Sequence, residues 1–246
     1  MKEKEALVLF SGGLDSFLTA IKLIQSGYYV SLISFNNGSI DGVERVFHGA
    51  KRLIDYYGEN NIRHVGVYRA CAYKHRLLDG LKYSKPIDLI YKYPNMPYYQ
   101  IECLACHTAM YISAIAYCKS HNIKTLAEGA RISQGFIVEI PEMVSIYEEI
   151  CREHGISLEL PVLNITSDED RALELVENNF VPKVFEPQCN LGIPLKKLMS
   201  KDEIADTIKY FNDAMRPVVS QGINRMEQVL TWVKPSIPYN QEIKII

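Results

Sequence analysis

Ser11-Gly12-Gly13-Leu14-Asp15-Ser16 concentrates more chemistry into a few positions than any other stretch of this 246-residue chain. An apolar run, Ala6-Leu7-Val8-Leu9-Phe10, stops at it, and a helical pattern with apolar Phe17, Leu18, Ile21, Leu23 and Ile24 follows. A strand, a glycine turn and a helix start aim several backbone N–H groups and the positive end of a helix dipole at one point. Gly12 and Gly13 allow a tight turn and close approach to a ligand, and Ser11 and Ser16 add hydroxyls. The guest that suits such a loop is an anion, phosphate above all. It is not a Walker A loop, which needs a lysine after its last glycine; none follows Gly13.

The second cluster is Cys103-Leu104-Ala105-Cys106-His107. Cysteines three apart at a helix start put two sulfurs on one face, and the helix dipole favours their thiolates. Cys189, in the loop Glu186-Pro187-Gln188-Cys189-Asn190-Leu191-Gly192, is the third thiol of interest; Cys151 falls in a predicted helix, and Cys71 and Cys118 read as core. Cys103, Cys106 and Cys189 could ligate three irons of a [4Fe-4S] cluster, with the fourth iron open. Zinc would need His107 as a fourth ligand. A persulfide relay needs only two of the thiols, and the pair could also simply pack in the core. Cys-x-x-Cys-His is a haem-attachment string, but that chemistry requires export, and no signal peptide precedes it.

These residues need elements to hold them. After the loop the spacing predicts a helix over Phe17 to Gln25, a strand over Tyr28 to Phe35 ending in the turn Asn36-Asn37-Gly38, a helix from Asp41 to Tyr57 and a strand from His64 to Tyr68. Lys74 to Gln100 is irregular, broken by Pro86, Pro94 and Pro97 and rich in tyrosine; it reads as a substrate-covering insertion or, for most of its tyrosines the favoured reading, a packed loop. Helix Thr108 to Ser120, strand Ile123 to Ala127, a turn over Glu128 to Gly135, helix Met143 to His154, strand Leu158 to Val162 and a helix through Glu177 follow. Alternating strands and helices predict an α/β fold with a doubly wound parallel sheet, its ligand site at the carboxyl ends of the strands. From about Leu195 onward the chain reads as a helical C-terminal appendage, dividing it into 1–192 and 193–246.

The string Ser11 to Ser16 resembles the PP-loop of the N-type ATP pyrophosphatases. That resemblance implies an adenine nucleotide alpha-hydrolase-like (HUP) fold that binds ATP. Ser11, Gly12, Gly13, Leu14, Asp15 and Ser16 would grip the two terminal phosphates, with Mg2+ held near Asp15. The backbone at Phe35 and Asn36 would receive adenine, and Gly129, Arg131 and Ser133 would complete the pocket, Arg131 as a phosphate clamp. The cysteine pattern is similar to that of the 2-thiocytidine and 2-thiouridine tRNA synthetases, with a Cys-x-x-Cys and one later Cys. Many RNA-thiolating members carry Gly-His-x-x-Asp-Asp after the fourth strand; this chain has Glu128-Gly129-Ala130-Arg131-Ile132-Ser133-Gln134-Gly135, closer to the 4-thiouridine and 7-cyano-7-deazaguanine branches.

The activity implied is adenylation of a substrate carbonyl followed by sulfur insertion. Asp15, Cys103, Cys106 and Cys189 would be the reacting residues, and a tRNA base or nucleobase-like small molecule and a sulfur donor the partners. The alternative is an ATP-dependent ligase or amide- or nitrile-forming enzyme on a small molecule. That branch carries a C-terminal cysteine cluster, whereas no cysteine follows Cys189 here. A formal net charge of -2 excludes a globally basic nucleic-acid surface, though not a local patch. Hydrophobic content of 48% and charged content of 23% are those of a globular protein. No apolar run in the sequence stands out as a membrane span, so the expected location is cytoplasmic, where six cysteines read as thiols. A homodimer stays open.

Overall fold

The computed structural model describes residues 4–83, 86–190, 199–230 and 234–239. The elements run β1 (Glu5–Leu9), α1 (Leu14–Gln25), β2 (Tyr29–Asn36), a two-residue β3 (Ile40–Asp41), α2 (Val46–Tyr57) and β4 (Ile62–Arg69). Then come α3 (Cys71–Tyr83), α4 (Pro86–Lys92), α5 (Ile101–His121), β5 (Thr125–Ala127), α6 (Pro141–Glu153) and β6 (Ser157–Glu159). The chain continues through α7 (Asp168–Glu177), a two-residue β7 (Gln188–Cys189), α8 (Lys201–Tyr210) and α9 (Arg216–Leu230). The main sheet has five parallel strands in the order β4-β2-β1-β5-β6. The strand order reverses beside β1, the switch point where such sheets open a crevice at their carboxyl ends.

The period of two along β1 divides the interior. Ala6, Val8 and Phe10 face one core with α1 and α2, while Leu7 and Leu9 face the other with α3, α5 and α6. Both faces are covered, which is why the strand reads as a continuous apolar run rather than an alternating one. At the β4 edge, Gly66 adopts φ +112, and a Cβ there would lie 2.6 Å from Pro235 Cβ. The glycine admits the segment 234–239, whose Ile237 bridges to Val67 and whose Ser236 N–H donates to the Val67 carbonyl at 2.7 Å.

Two expectations change. The tyrosine-rich stretch is not a loop throughout, since α3 and α4 occupy most of it; Tyr93 is buried as expected, while Tyr91 is exposed. Helix α5 begins at Ile101 rather than Thr108, so Cys103 and Cys106 lie within its first two turns. That longer helix is apolar enough to cross a bilayer by length and composition, yet 83% of its most apolar window is buried inside the protein, where it forms the central core helix. Helices α8 and α9, joined by one π-helical turn over Phe211–Met215, send Tyr210, Phe211, Met215, Val219 and Ile223 into the same core as α5. The division expected at 192/193 lies outside the described residues.

Candidate active site

A cavity of about 460 Å3 opens at the carboxyl ends of β1, β2 and β5. One wall is the loop Ser11–Ser16, stitched by its own hydroxyls. The Ser11 N–H donates to Ser16 Oγ at 3.3 Å, the Gly13 N–H to Ser11 Oγ at 3.2 Å, and Ser16 Oγ to the Gly13 carbonyl at 3.0 Å. Leu14, Asp15 and Ser16 form the first turn of α1, whose amides have no acceptor within the helix. Gly12, at φ +79, passes so close to Phe185 that a Cβ would lie 2.8 Å from its carbonyl oxygen. The remaining N–H donors and the helix end make an anion cradle.

That cradle already has a carboxylate over it. A Cβ at Gly13 would lie 2.8 Å from Glu186 Oε2. Glu186 is accessible as a residue, yet its carboxyl end is crowded by the loop; burial raises its pKa, with the Asp15 charge adding to it and a hydrogen bond with Ser11 opposing. The strap bearing it is tied at both ends. The Phe185 N–H donates to the Gly12 carbonyl at 3.1 Å, and β7 pairs with β3, Cys189 opposite Ile40.

Asp15, expected to hold Mg2+, has both oxygens engaged. Oδ1 meets Arg131 Nε at 2.8 Å; Oδ2 meets Arg171 Nη1 at 2.7 Å and accepts from Gln134 Nε2 at 2.9 Å. Arg131 and Arg171 also share Asp168 Oδ1, at 2.8 and 3.1 Å. The Arg131 guanidinium, expected as a phosphate clamp, is ion-paired with Asp15 and Asp168, while Asp15, paired with two arginines, still lines the cavity. Gly129 has its own requirement: a Cβ there would lie 2.6 Å from Asp15 C and Ser16 N. Only glycine lets the end of β5 pack against the start of α1.

Of the other nucleotide-pocket residues, Phe35 lines the cavity together with Ile33, Ser34 and Asn37. Asn36 turns away, its Oδ1 accepting from the Gly38 N–H at 2.9 Å and its carbonyl from Ala70 N. Ser133 is exposed and donates to the Ile165 carbonyl at 3.1 Å, so Gln134 rather than Ser133 faces the cavity.

The far wall carries the sulfur. Cys103 and the exposed Cys189 both line the cavity. Cys106 instead hydrogen-bonds Lys74, a buried lysine that also pairs with Glu102 at 2.7 Å and with Ser39 Oγ. The expected thiolate stabilisation by the helix dipole does not prevail. Burial, reinforced by the neighbouring charges of Cys106, Cys189 and Glu139, pushes the Cys103 thiol up to about 12. Burial likewise pushes Cys106 to about 11 against the pull of Lys74. Nor do the three cysteines form the expected cluster site: among the described residues no three His, Cys, Asp or Glu side chains gather to hold a metal ion. With Cys106 turned to Lys74, Cys103, Cys106 and Cys189 do not fit a [4Fe-4S] cluster, and the His107 ring nitrogen Nε2 is taken by a carboxylate. His107 Nε2 is paired with Glu128 Oε1, while Glu128 Oε2 accepts from Tyr111 at 2.6 Å. Burial works to raise the Glu128 pKa, but His107 and the Tyr111 hydroxyl outweigh it and the net shift is downward.

The carboxylates Glu128, Glu139 and Glu186, with Arg171 and Lys74, are the part of the site that sequence reasoning missed. Glu128 opens the turn after β5 and Glu186 stands three residues before Cys189. Position beside a known site residue was the only signal available; Arg171 and Lys74 had none.

The chain has the α/β fold seen in PP-loop ATP pyrophosphatases, with the Ser11–Ser16 loop at the carboxyl end of its first strand. Among solved structures, it superposes on a 4-thiouridine synthetase in complex with RNA and bound ATP, with a TM-score of 0.62, 13% identity and 92% of this chain covered. The chain spans 53% of that synthetase's length. It also aligns with a predicted tRNA methyltransferase subunit from Methanocaldococcus jannaschii, at a TM-score of 0.42 and 21% identity over 78% of this chain and 98% of that one. NMN synthetase from Francisella tularensis aligns at 0.47 and 16% identity over 92% and 85%. No protein-family model and no curated protein sequence matches the chain.

Proposed function

We propose that this protein uses ATP to adenylate a carbonyl on an RNA base and then replaces the oxygen with sulfur carried on cysteine. The observation that carries this reading is the sharing of one cavity by the phosphate-type loop and two thiols, Cys103 and Cys189. A carbonyl oxygen is a poor leaving group, and transfer of AMP to it makes it a good one. The loop amides and the start of α1 receive the departing pyrophosphate. Mg2+ would be held between the nucleotide phosphates and Asp15 and would neutralise phosphate charge there.

Exposure assigns the two thiols. Cys189 is the one a persulfide donor can reach, so it takes up the sulfane sulfur, and the donor leaves as a thiolate. The Cys189 persulfide attacks the activated carbon and AMP departs with the oxygen. Cys103 gives up its proton to solvent as it attacks the Cys189 sulfur, releasing the thiocarbonyl and leaving a Cys103–Cys189 disulfide for a dithiol reductant. Support for RNA as the substrate comes from the fold shared with the RNA-bound 4-thiouridine synthetase.

The test is incubation of the full chain with ATP, unmodified tRNA transcripts and a persulfide donor, dithiothreitol being added last, with thionucleosides and AMP measured by mass spectrometry. Wild type is expected to form both. Cys189→Ser should abolish the thionucleoside while pyrophosphate is still released and adenylated RNA accumulates; Cys103→Ser should hold the base on Cys189 until dithiothreitol is added. Pyrophosphate release that needs neither cysteine nor RNA would move the assignment to the small-molecule ligase.

A further inference from the structure

Glu139 is a carboxyl group fixed at one oxygen and free at the other. It ends the segment that runs from Gly135 into α6, and it lines the same cavity as Cys103, Cys189 and the loop. The segment is rigidly placed: Gln100 Oε1 accepts from the Ile137 N–H at 2.9 Å, the Glu139 N–H donates to the Phe136 carbonyl at 3.0 Å, and Ile137 and Ile140 are buried. Oε1 accepts the Arg131 N–H at 3.2 Å. Among the described residues, Oε2 is buried without a hydrogen-bond partner, in a residue only 9% exposed. A carboxyl placed for structure alone would have both oxygens satisfied, because an unpaired buried one costs stability.

We propose that Glu139 is the acid–base residue of this cavity and that the substrate is a lactam ring, with an N–H beside the carbonyl to be activated. The inference rests on the adenylation reading above. As the carbonyl oxygen bonds to the α-phosphorus, the bond from that phosphorus to the pyrophosphate oxygen breaks. The N–H proton passes to Glu139 Oε2, and the nitrogen electron pair becomes the C=N bond. When sulfur adds to the carbon, the nitrogen takes the proton back from Oε2, and AMP leaves with the oxygen. Uracil, hypoxanthine and guanine present this edge. Cytosine does not, since the ring nitrogen beside its carbonyl bears no hydrogen.

The surroundings suit a group that must both accept and return a proton. Glu128 at the end of β5, Asp15 on α1 and Cys103 on α5 face it, with Arg131 on the turn between β5 and α6 as the counter-charge. Burial comes first among the causes that push its pKa to about 8, the Arg131 N–H opposing and the Glu128 and Asp15 charges adding to it. A general acid or base works best when its pKa lies near the working pH.

The experiment gives the full chain ATP labelled on the α-phosphate and unmodified tRNA transcripts, without a sulfur donor. Label transfer is timed, and the labelled base is identified after nuclease digestion. Wild type should label uridine or guanosine, about tenfold faster at pH 7 than at pH 6 and levelling off above the pKa of about 8. Glu139→Gln should be slower by about 100-fold or more and lose that pH dependence, with ATP affinity unchanged, and Glu139→Asp should recover part of the rate. Label on cytidine alone overturns the lactam assignment. Wild-type speed in Glu139→Gln overturns the role of Glu139 and leaves adenylation standing. ATP binding with no label on any transcript overturns both.

Discussion

The two walls of the cavity are built in opposite ways. The loop wall is local: Ser11 and Ser16 close it with hydrogen bonds spanning no more than five residues, and everything it needs lies in consecutive positions. The thiol wall is assembled from Cys103 on α5, Glu139 before α6, and Cys189 on a strap that reaches it by pairing with Ile40. A local site is preformed once its turn forms. An assembled one depends on how the helices pack and on the polar contacts that join them. Asp15 and Glu128 supply those contacts, Asp15 tying the loop to Arg131 and Arg171, Glu128 tying the end of β5 to His107 and Tyr111 on α5.

The sharpest way to break the contrast is Asp15→Asn. It leaves two largely buried guanidinium groups without their main partner, and removing one member of a buried ion pair costs about 3–5 kcal/mol. Urea unfolding should show a loss of that size; a change of a few tenths would mean that Asp168 alone holds both arginines. Gly129→Ala is expected next, at about 1–3 kcal/mol, because the added methyl overlaps Asp15 and Ser16 and must push β5 from α1. Its readout is double, since the displaced loop should also bind ATP more weakly, and unchanged nucleotide affinity would detach the loop from β5.

Glu128→Gln is the smallest effect and probes the thiol wall alone. The folded-state pKa of Glu128 lies below the usual 4.5, so the ionised carboxylate contributes stability above that pH and loses it as the pH falls through the folded value. Wild type should therefore exceed the variant in stability at neutral pH and converge on it below about pH 4.5. A constant gap down to acid pH would mean that the contribution of Glu128 does not depend on its charge.

This division of labour also decides what the sequence could reveal. The loop and the parallel sheet were legible because each rests on a short-range pattern: an apolar run, a glycine turn, a helix start. Cys103 and Cys189 were singled out as thiols, but their environment was not. The helix dipole argued for reactive thiolates, and burial, invisible until α5 was known to be the central core helix, overrode it. Asp15 lines the cavity, whereas Arg131 lies behind it. Residue type does not say that two residues 116 positions apart will pair with each other. The cluster expectation missed for a related reason, since Lys74, in a stretch expected to be irregular, lies on α3 and draws Cys106 aside.

Glu186 lends the loop wall a property that its hydrogen bonds alone do not give it. With its carboxylate over Gly13, the cradle is met by an anion belonging to the chain itself. Any phosphate must compete with that tethered group, so its apparent affinity is its intrinsic affinity scaled by the fraction of molecules in which Glu186 has swung out. Since the strap itself is tied at Gly12 and Ile40, that competition is set by the side chain of Glu186 and leaves Cys189 in place.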